Sequence, residues 1–120
     1  MTTSFIRLLA EGSAAGLQPS EMTDPGAFTT DDRSELNDTF FATADESILT
    51  GVWECAPCRE EIDSYPVHEM MTVISGAVKL TDPEGRSETF RAGDTFFIPR
   101  GTRCVWEITE KLRKFYLIAS

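Results

Sequence analysis

From about residue 47 onward, apolar and polar side chains alternate in short runs separated by turn residues. Segments 47–55, 67–74, 77–80, 87–91, 95–98, 103–108 and 113–118 are rich in Val, Ile, Phe, Tyr, Trp and Thr. That composition and period of two predict half-buried β-strands. Asp82-Pro-Glu-Gly85 predicts a tight turn, because proline suits its second position and glycine supplies positive φ, so it should close a hairpin. Upstream the texture differs. Gly12, Gly16, Pro19, Pro25 and Gly26 lie among Ser, Thr, Asp and Glu with no helical period. Residues 1–46 therefore read as an extended arm with one short strand expected at 5–9, and residues 47–120 as a barrel.

Many short strands without an amphipathic helix predict an all-β antiparallel sandwich or barrel. Immunoglobulin-like, jelly-roll and oligonucleotide-binding barrels all satisfy the pattern. The chain has 120 residues, the size of one domain with one core. It has no apolar run near the roughly 20 residues that cross a bilayer, and its N-terminus lacks the features of a secretory signal, so a soluble, cytoplasmic protein that does not bind membranes is expected. Three cysteines, an odd number, argue for reduced thiols rather than a disulfide framework. Twenty acidic against eleven basic residues give a net charge of −9 with scattered cations, so nucleic acid is not an expected partner.

Two stretches distinguish the barrels. Glu69-Met-Met-Thr-Val-Ile-Ser-Gly76 places a glycine after a glutamate and six residues, and Gly93-Asp-Thr-Phe-Phe-Ile-Pro99-Arg-Gly101 spaces glycine, proline and glycine. The chain from 47 to 119 resembles the cupins in these two motifs. Thr50-Gly-Val-Trp-Glu-Cys-Ala-Pro57, Arg103-Cys-Val-Trp-Glu-Ile108 and Leu112-Arg-Lys-Phe-Tyr116 are similar to the small ureidoglycine aminohydrolase and ethanolamine-utilisation type cupins. The resemblance implies a cupin (RmlC-like) antiparallel jelly-roll barrel, commonly paired into a homodimer, with the N-terminal arm wrapping the barrel or its partner. It also implies amine, amide or ureide chemistry on a small metabolite.

Metal-binding cupins carry three histidines where this chain has Asp63, Tyr65 and Cys104, while Glu69 is retained. The expectation is a barrel without the three-histidine site and without a cofactor. A bound metal, if there is one, would fall to Asp63, Glu69 and Cys104. Strand alternation puts Tyr65 and Met71 on the side of Glu69 and turns His68 away. The expected site is Glu69 as a proton-transfer group and Tyr65 as an orienting group, in a pocket of Met71, Phe96, Cys104 and Trp106. Burial among these would raise the pKa of a carboxyl group. Glu69 serves equally as a structural carboxylate held by Tyr65, an arginine or backbone donors.

Cys55-Ala-Pro-Cys58 admits a redox or zinc reading, but it ends a strand rather than opening a helix and lacks a second pair of ligands. Packing is the expected role of Cys55. Cys104 serves as a nucleophile only if a cation such as Arg103 or Arg59 lowers its pKa, and otherwise as an inert thiol. Three functions stay open: a metal-poor cupin that binds or transforms a small polar metabolite, a non-catalytic binding or regulatory cupin, and a metalloenzyme with an Asp/Glu/Cys ligand set.

Overall fold

A computed structural model describes residues 4–120. Its strands are β1 (Gln18–Pro19), β2 (Glu35–Ala42), β3 (Ile48–Cys55), β4 (Cys58–Ile62), β5 (His68–Thr81), β6 (Ser87–Arg91), β7 (Thr95–Ile98) and β8 (Cys104–Ala119), with one 3-10 turn at Pro25–Ala27. All pair antiparallel in one eight-stranded sheet of order β1-β2-β3-β8-β5-β6, with β4 also on β8 and β7 also on β5. The sheet folds on itself because β5 and β8 are long enough to take different partners along their length. The all-β antiparallel class is as expected. Among the described residues no helix is long and apolar enough to cross a membrane.

Alternation builds the core. On β8, Ile108, Leu112, Lys114 and Tyr116 are buried, as are Glu69, Met71 and Val73 on β5. Asp82 closes the β5–β6 hairpin as expected: its carboxylate accepts from the Glu84 and Arg86 amides and its carbonyl from Gly85. Segments 67–74 and 77–80 are not two strands but one, β5, which passes Gly76 at φ +82°. Segments 103–108 and 113–118 likewise join as β8, because the polar link 109–111 keeps pairing instead of turning.

The arm departs further from expectation. Residues 5–9 form no strand; Phe5 is 98% exposed and finds no neighbouring strand to pair with. The arm's main strand is β2, which pairs with β3 along its whole length, so the sheet starts well before residue 47. Its Glu, Asn and Asp residues hid it. Strand β4, Cys-Arg-Glu-Glu-Ile, was hidden in the same way, since Arg59 and Glu61 point to solvent.

Glu35 fastens the arm. Its buried carboxylate accepts from the Thr23 amide at 2.8 Å, the Met22 amide at 3.0 Å, the Ser20 hydroxyl at 2.9 Å and the Trp53 indole at 3.1 Å. Burial by itself would raise its pKa, but the donors outweigh burial and hold it below the usual glutamate value. A carboxyl group with a lower pKa in the folded chain stabilises fully above its unfolded pKa, about 4.3, and loses that contribution as pH falls through the folded value. Protection of the Met22 and Thr23 amides, taken relative to the intrinsic exchange rate at each pH, should therefore fall below about pH 4, while the amides of β8 stay protected. Glu35→Gln should give the same loss of protection at pH 7, at a cost of about 1–3 kcal/mol. Unchanged exchange in the variant would remove Glu35 as the fastening.

Candidate functional site

Three polar side chains meet inside the barrel. Glu69 lies on β5 between Ile98 of β7 and Ile118 of β8, so alternation directs it inward. Tyr65 precedes β5 in a loop pinned by two backbone bonds: its amide donates to the Thr102 carbonyl and its carbonyl accepts from the Gly101 amide, both at 2.8 Å. That pinning brings the phenol to Glu69, where it donates to Oε1 at 2.7 Å. Burial, then the Glu69 charge and this hydrogen bond, push the Tyr65 pKa far up, so it stays a donor.

The third member is Lys114 of β8. Its ammonium donates to Glu69 Oε2 at 2.7 Å and to Met71 Sδ at 2.9 Å. It lies 4.8 Å from the Trp53 ring centroid and 5.0 Å from that of Trp106, within cation–π range of both. Lys114 and Glu69 are 5% and 6% exposed, so the pair stands in a low-dielectric interior where its attraction is strong. A structural Glu69 is expected to be held by Tyr65, an arginine or backbone donors; the Tyr65 bond is present, and the second partner is a lysine. The signal was present in the sequence: Leu112, Lys114 and Tyr116 share one face of a strand, and a lysine in an inward row needs a buried partner.

Glu69, Tyr65, Met71 and Trp106 are thus brought together. Phe96, the register partner of Met71, belongs to the same buried core and is stacked on Phe90 with centroids 4.0 Å apart. Asp63 is not brought in. Its side chain is 94% exposed, 3.9 Å from Arg103. Among the described residues no three His, Cys, Asp or Glu side chains gather as a metal site, so Asp63, Glu69 and Cys104 do not form the ligand set considered from the sequence. The residues present do not fit the cupin metal either: a lysine ammonium and a tyrosine hydroxyl hold the two oxygens of Glu69, and a cation beside Lys114 would be repelled.

His68 lies on the outer face, stacked near Phe97, and its Nδ1 accepts from the Arg100 amide at 3.0 Å. Cys55, Cys58 and Cys104 are buried free thiols. Burial raises the Cys104 pKa, and Arg103 and Arg59 are turned to Asp63 and Glu61, which leaves Cys104 without an activating cation. The neighbouring Cys58 sulfur and burial together push the Cys55 thiol up. Both cysteines of the pair are fully buried in the core, which is the packing role expected of Cys55.

The open space lies beside this cluster. A groove of about 500 Å³ runs between the β5–β6 hairpin and the loop after β7, with Leu80, Phe90, Ile98 and Cys104 along it and Arg86 and Arg103 among its polar residues. A second hollow of about 330 Å³ shares Arg103 and Cys104 with it. Of the residues expected to line a pocket, only Cys104 borders these spaces. Ile98, which pairs with Glu69 across the strands, lines the groove.

Residues 42–116 match the model of the EutQ-like cupin domain. A Pseudomonas syringae pv. tomato protein of unknown function from the DUF861 family superposes with a TM-score of 0.80 at 30% identity, covering 93% of this chain and 46% of that one. This chain therefore spans about half the length of that relative. The Clostridium difficile EutQ protein superposes with a TM-score of 0.64 at 22% identity, covering 85% of this chain and 79% of its own. A putative ethanolamine utilization protein Q from Salmonella typhimurium gives 0.57 at 20% identity, covering 72% and 69%. At such identities the latter two speak to the jelly-roll fold alone. No curated protein matches the chain.

Proposed function

The chain belongs to the EutQ-like cupin domain family, and from that premise we propose that its barrel binds, and acts on, a small polar metabolite bearing an amide or ureide group. The observation that carries this reading is the Glu69–Lys114 contact at 2.7 Å, between two tryptophans. An ammonium beside a carboxylate offers one strong donor and one strong acceptor side by side, the complement of a C=O next to an N–H. A protonated amine offers only donors and must compete with Lys114 for Glu69. In this reading Lys114 holds and polarises the carbonyl, Glu69 accepts a proton from the ligand nitrogen or an attacking water, and Tyr65 keeps the Glu69 carboxylate oriented. The groove over Ile98 and Cys104 is the entry.

Chemical-shift titration against the Trp53 and Trp106 indole N–H signals tests the ligand class, with N-methylurea, acetamide and methylammonium as probes. The two carbonyl compounds should bind at least ~10-fold more tightly than the amine, the scale of one charge-assisted hydrogen bond. The reverse order would overturn the amide reading. Turnover of any hydrolysable ureide should fall at least ~100-fold in Glu69→Gln, which keeps an acceptor for Lys114; an unchanged rate would end the proton-transfer role.

The near-complete burial of Glu69, Lys114 and Tyr65 favours a second reading, a non-catalytic cupin in which the cluster only organises the core. Failure of all three probes to bind would leave that reading standing.

A further inference from the structure

Lys114 has the surroundings of a nucleophile as well as those of a hydrogen-bond donor. Among the described residues its ammonium donates to one oxygen, Glu69 Oε2 at 2.7 Å, and to the Met71 sulfur at 2.9 Å. The oxygen that holds the ammonium is therefore also the group able to take its proton. Tyr65 occupies the other carboxylate oxygen at 2.7 Å, which leaves Oε2 to face Lys114 alone. A buried ion pair is commonly no more stabilising than well-packed apolar residues of the same volume, so core stability by itself does not account for the pair.

The cluster is also not sealed. Tyr65 is 8% exposed, Glu69 6%, Lys114 5%, and Cys104 at the groove 8%, whereas Val52, Cys55, Val78 and Leu112 are at 0%. Access of this width favours a small ligand with one reactive end. An aldehyde meets that demand better than a ketone, because its carbonyl carbon carries a hydrogen where a ketone carries a second carbon.

We infer that Lys114 captures small uncharged aldehydes as a protonated Schiff base. The ammonium first gives one proton to Glu69, and the freed Nζ electron pair attacks the aldehyde carbon. A C–N bond forms, and the C=O π pair moves to oxygen, which takes that proton back from Glu69. Glu69 then carries a second proton from nitrogen to the hydroxyl, and the nitrogen pair expels water as the C=N bond forms. One ammonium and one aldehyde give one iminium and one water, with the charge unchanged and no oxidant or reductant consumed. The positive charge stays beside Glu69, 4.8 and 5.0 Å from the Trp53 and Trp106 ring centroids in the starting ammonium, where ring faces attract the cation of the product as they do that of the reactant. A carboxylate on the ligand would instead oppose Glu69 in the low-dielectric interior. The inference rests on the proposed site only in placing a ligand at Lys114, and adds a covalent step that an amide cannot undergo there.

Propanal with sodium cyanoborohydride, which reduces iminium ions and spares aldehydes, tests the capture on the full chain, read by intact mass and peptide mapping. The lysines of the chain are Lys79, Lys111 and Lys114. Exposed Lys111, whose ammonium lies 3.4 Å from Asp32, is the internal reference. Lys114 should gain a propyl group at least ~10-fold faster than Lys111, the advantage of a positioned proton acceptor. Glyoxylate, an aldehyde bearing a carboxylate, should lower that ratio at least ~10-fold through repulsion by Glu69. Glu69→Gln, its fold checked by circular dichroism, should slow labelling of Lys114 at least ~100-fold; an unchanged rate in the folded variant would overturn the proton transfer. Labelling of wild-type Lys114 no faster than Lys111 would overturn the capture whether or not the variant folds, and a higher ratio with glyoxylate would overturn the uncharged class. N-methylurea shifts at Trp53 and Trp106 without an adduct would sink this inference and leave the amide site standing. An adduct at Lys114 without urea shifts would uphold the capture and remove the amide reading.

Discussion

Lys114→Met should destabilise the protein by about 3–5 kcal/mol, the cost of leaving one member of a buried ion pair without the other. The substitution keeps the unbranched apolar stem, so little packing is lost; what it removes is the ammonium 2.7 Å from Glu69. Glu69 would then carry its charge in the core with the Tyr65 hydroxyl as its hydrogen-bond donor. For a domain of this size the melting temperature should fall by roughly 10–20 °C. Adding Glu69→Leu should recover much of the loss, since removing both charges takes away the desolvation cost along with the attraction. Urea denaturation of the two single variants and the double variant checks this. Additive losses would mean that the pair is not coupled, and a loss below about 1 kcal/mol for Lys114→Met would place the ammonium in water rather than between Trp53 and Trp106.

Gly76→Ala should be at least as damaging, costing more than about 4 kcal/mol and leaving little cooperatively folded protein. Gly76 has φ +82°, and a Cβ there would meet the Lys111 carbonyl oxygen at 1.9 Å and its carbon at 2.6 Å. Both atoms belong to the backbone of β8, which cannot move aside without breaking its pairing with β5 at the register shifts around Gly76. Gly85→Ala is the control. Its φ is +85°, yet nothing lies within 4 Å of the new Cβ, so the cost should be the left-handed backbone penalty alone, about 1–2 kcal/mol. Equal losses at the two sites would show that the backbone conformation, not the strand crossing, makes Gly76 necessary.

The contrast between these glycines also marks the limit of reading the sequence. Both sit in turn-like surroundings, and Gly76 was legible as the end of a cupin motif; that it is instead the point where one 14-residue strand crosses β8 depends on which strand lies against it. The same holds for β2. Its polar residues suit an exposed segment, and only its pairing with β3 and the arm lying over Asp38 show it to be part of the sheet. Glu69 and Tyr65 were found because they occupy positions of the cupin motifs, and alternation then put both on one side, although backbone bonds in the loop before β5 are what hold Tyr65 there. Lys114 sits in an equally regular row, but its partner is 45 positions away, and alternation carries no information about what a side chain meets across the barrel.

The sequence by itself determined the strand content and the β5–β6 hairpin, because these follow from local backbone preference and from the two-residue period of a strand, while the jelly-roll class and Glu69 as its inward acid came from the resemblance of two motifs to the cupins. Only the tertiary structure decided that Lys114 pairs with Glu69, that Asp63 stays in solvent, and that Cys104 borders the groove without an activating cation. Each of these is a pairing between residues distant along the chain, fixed by inter-strand register, and register is set by the packing of the whole barrel rather than by any one segment.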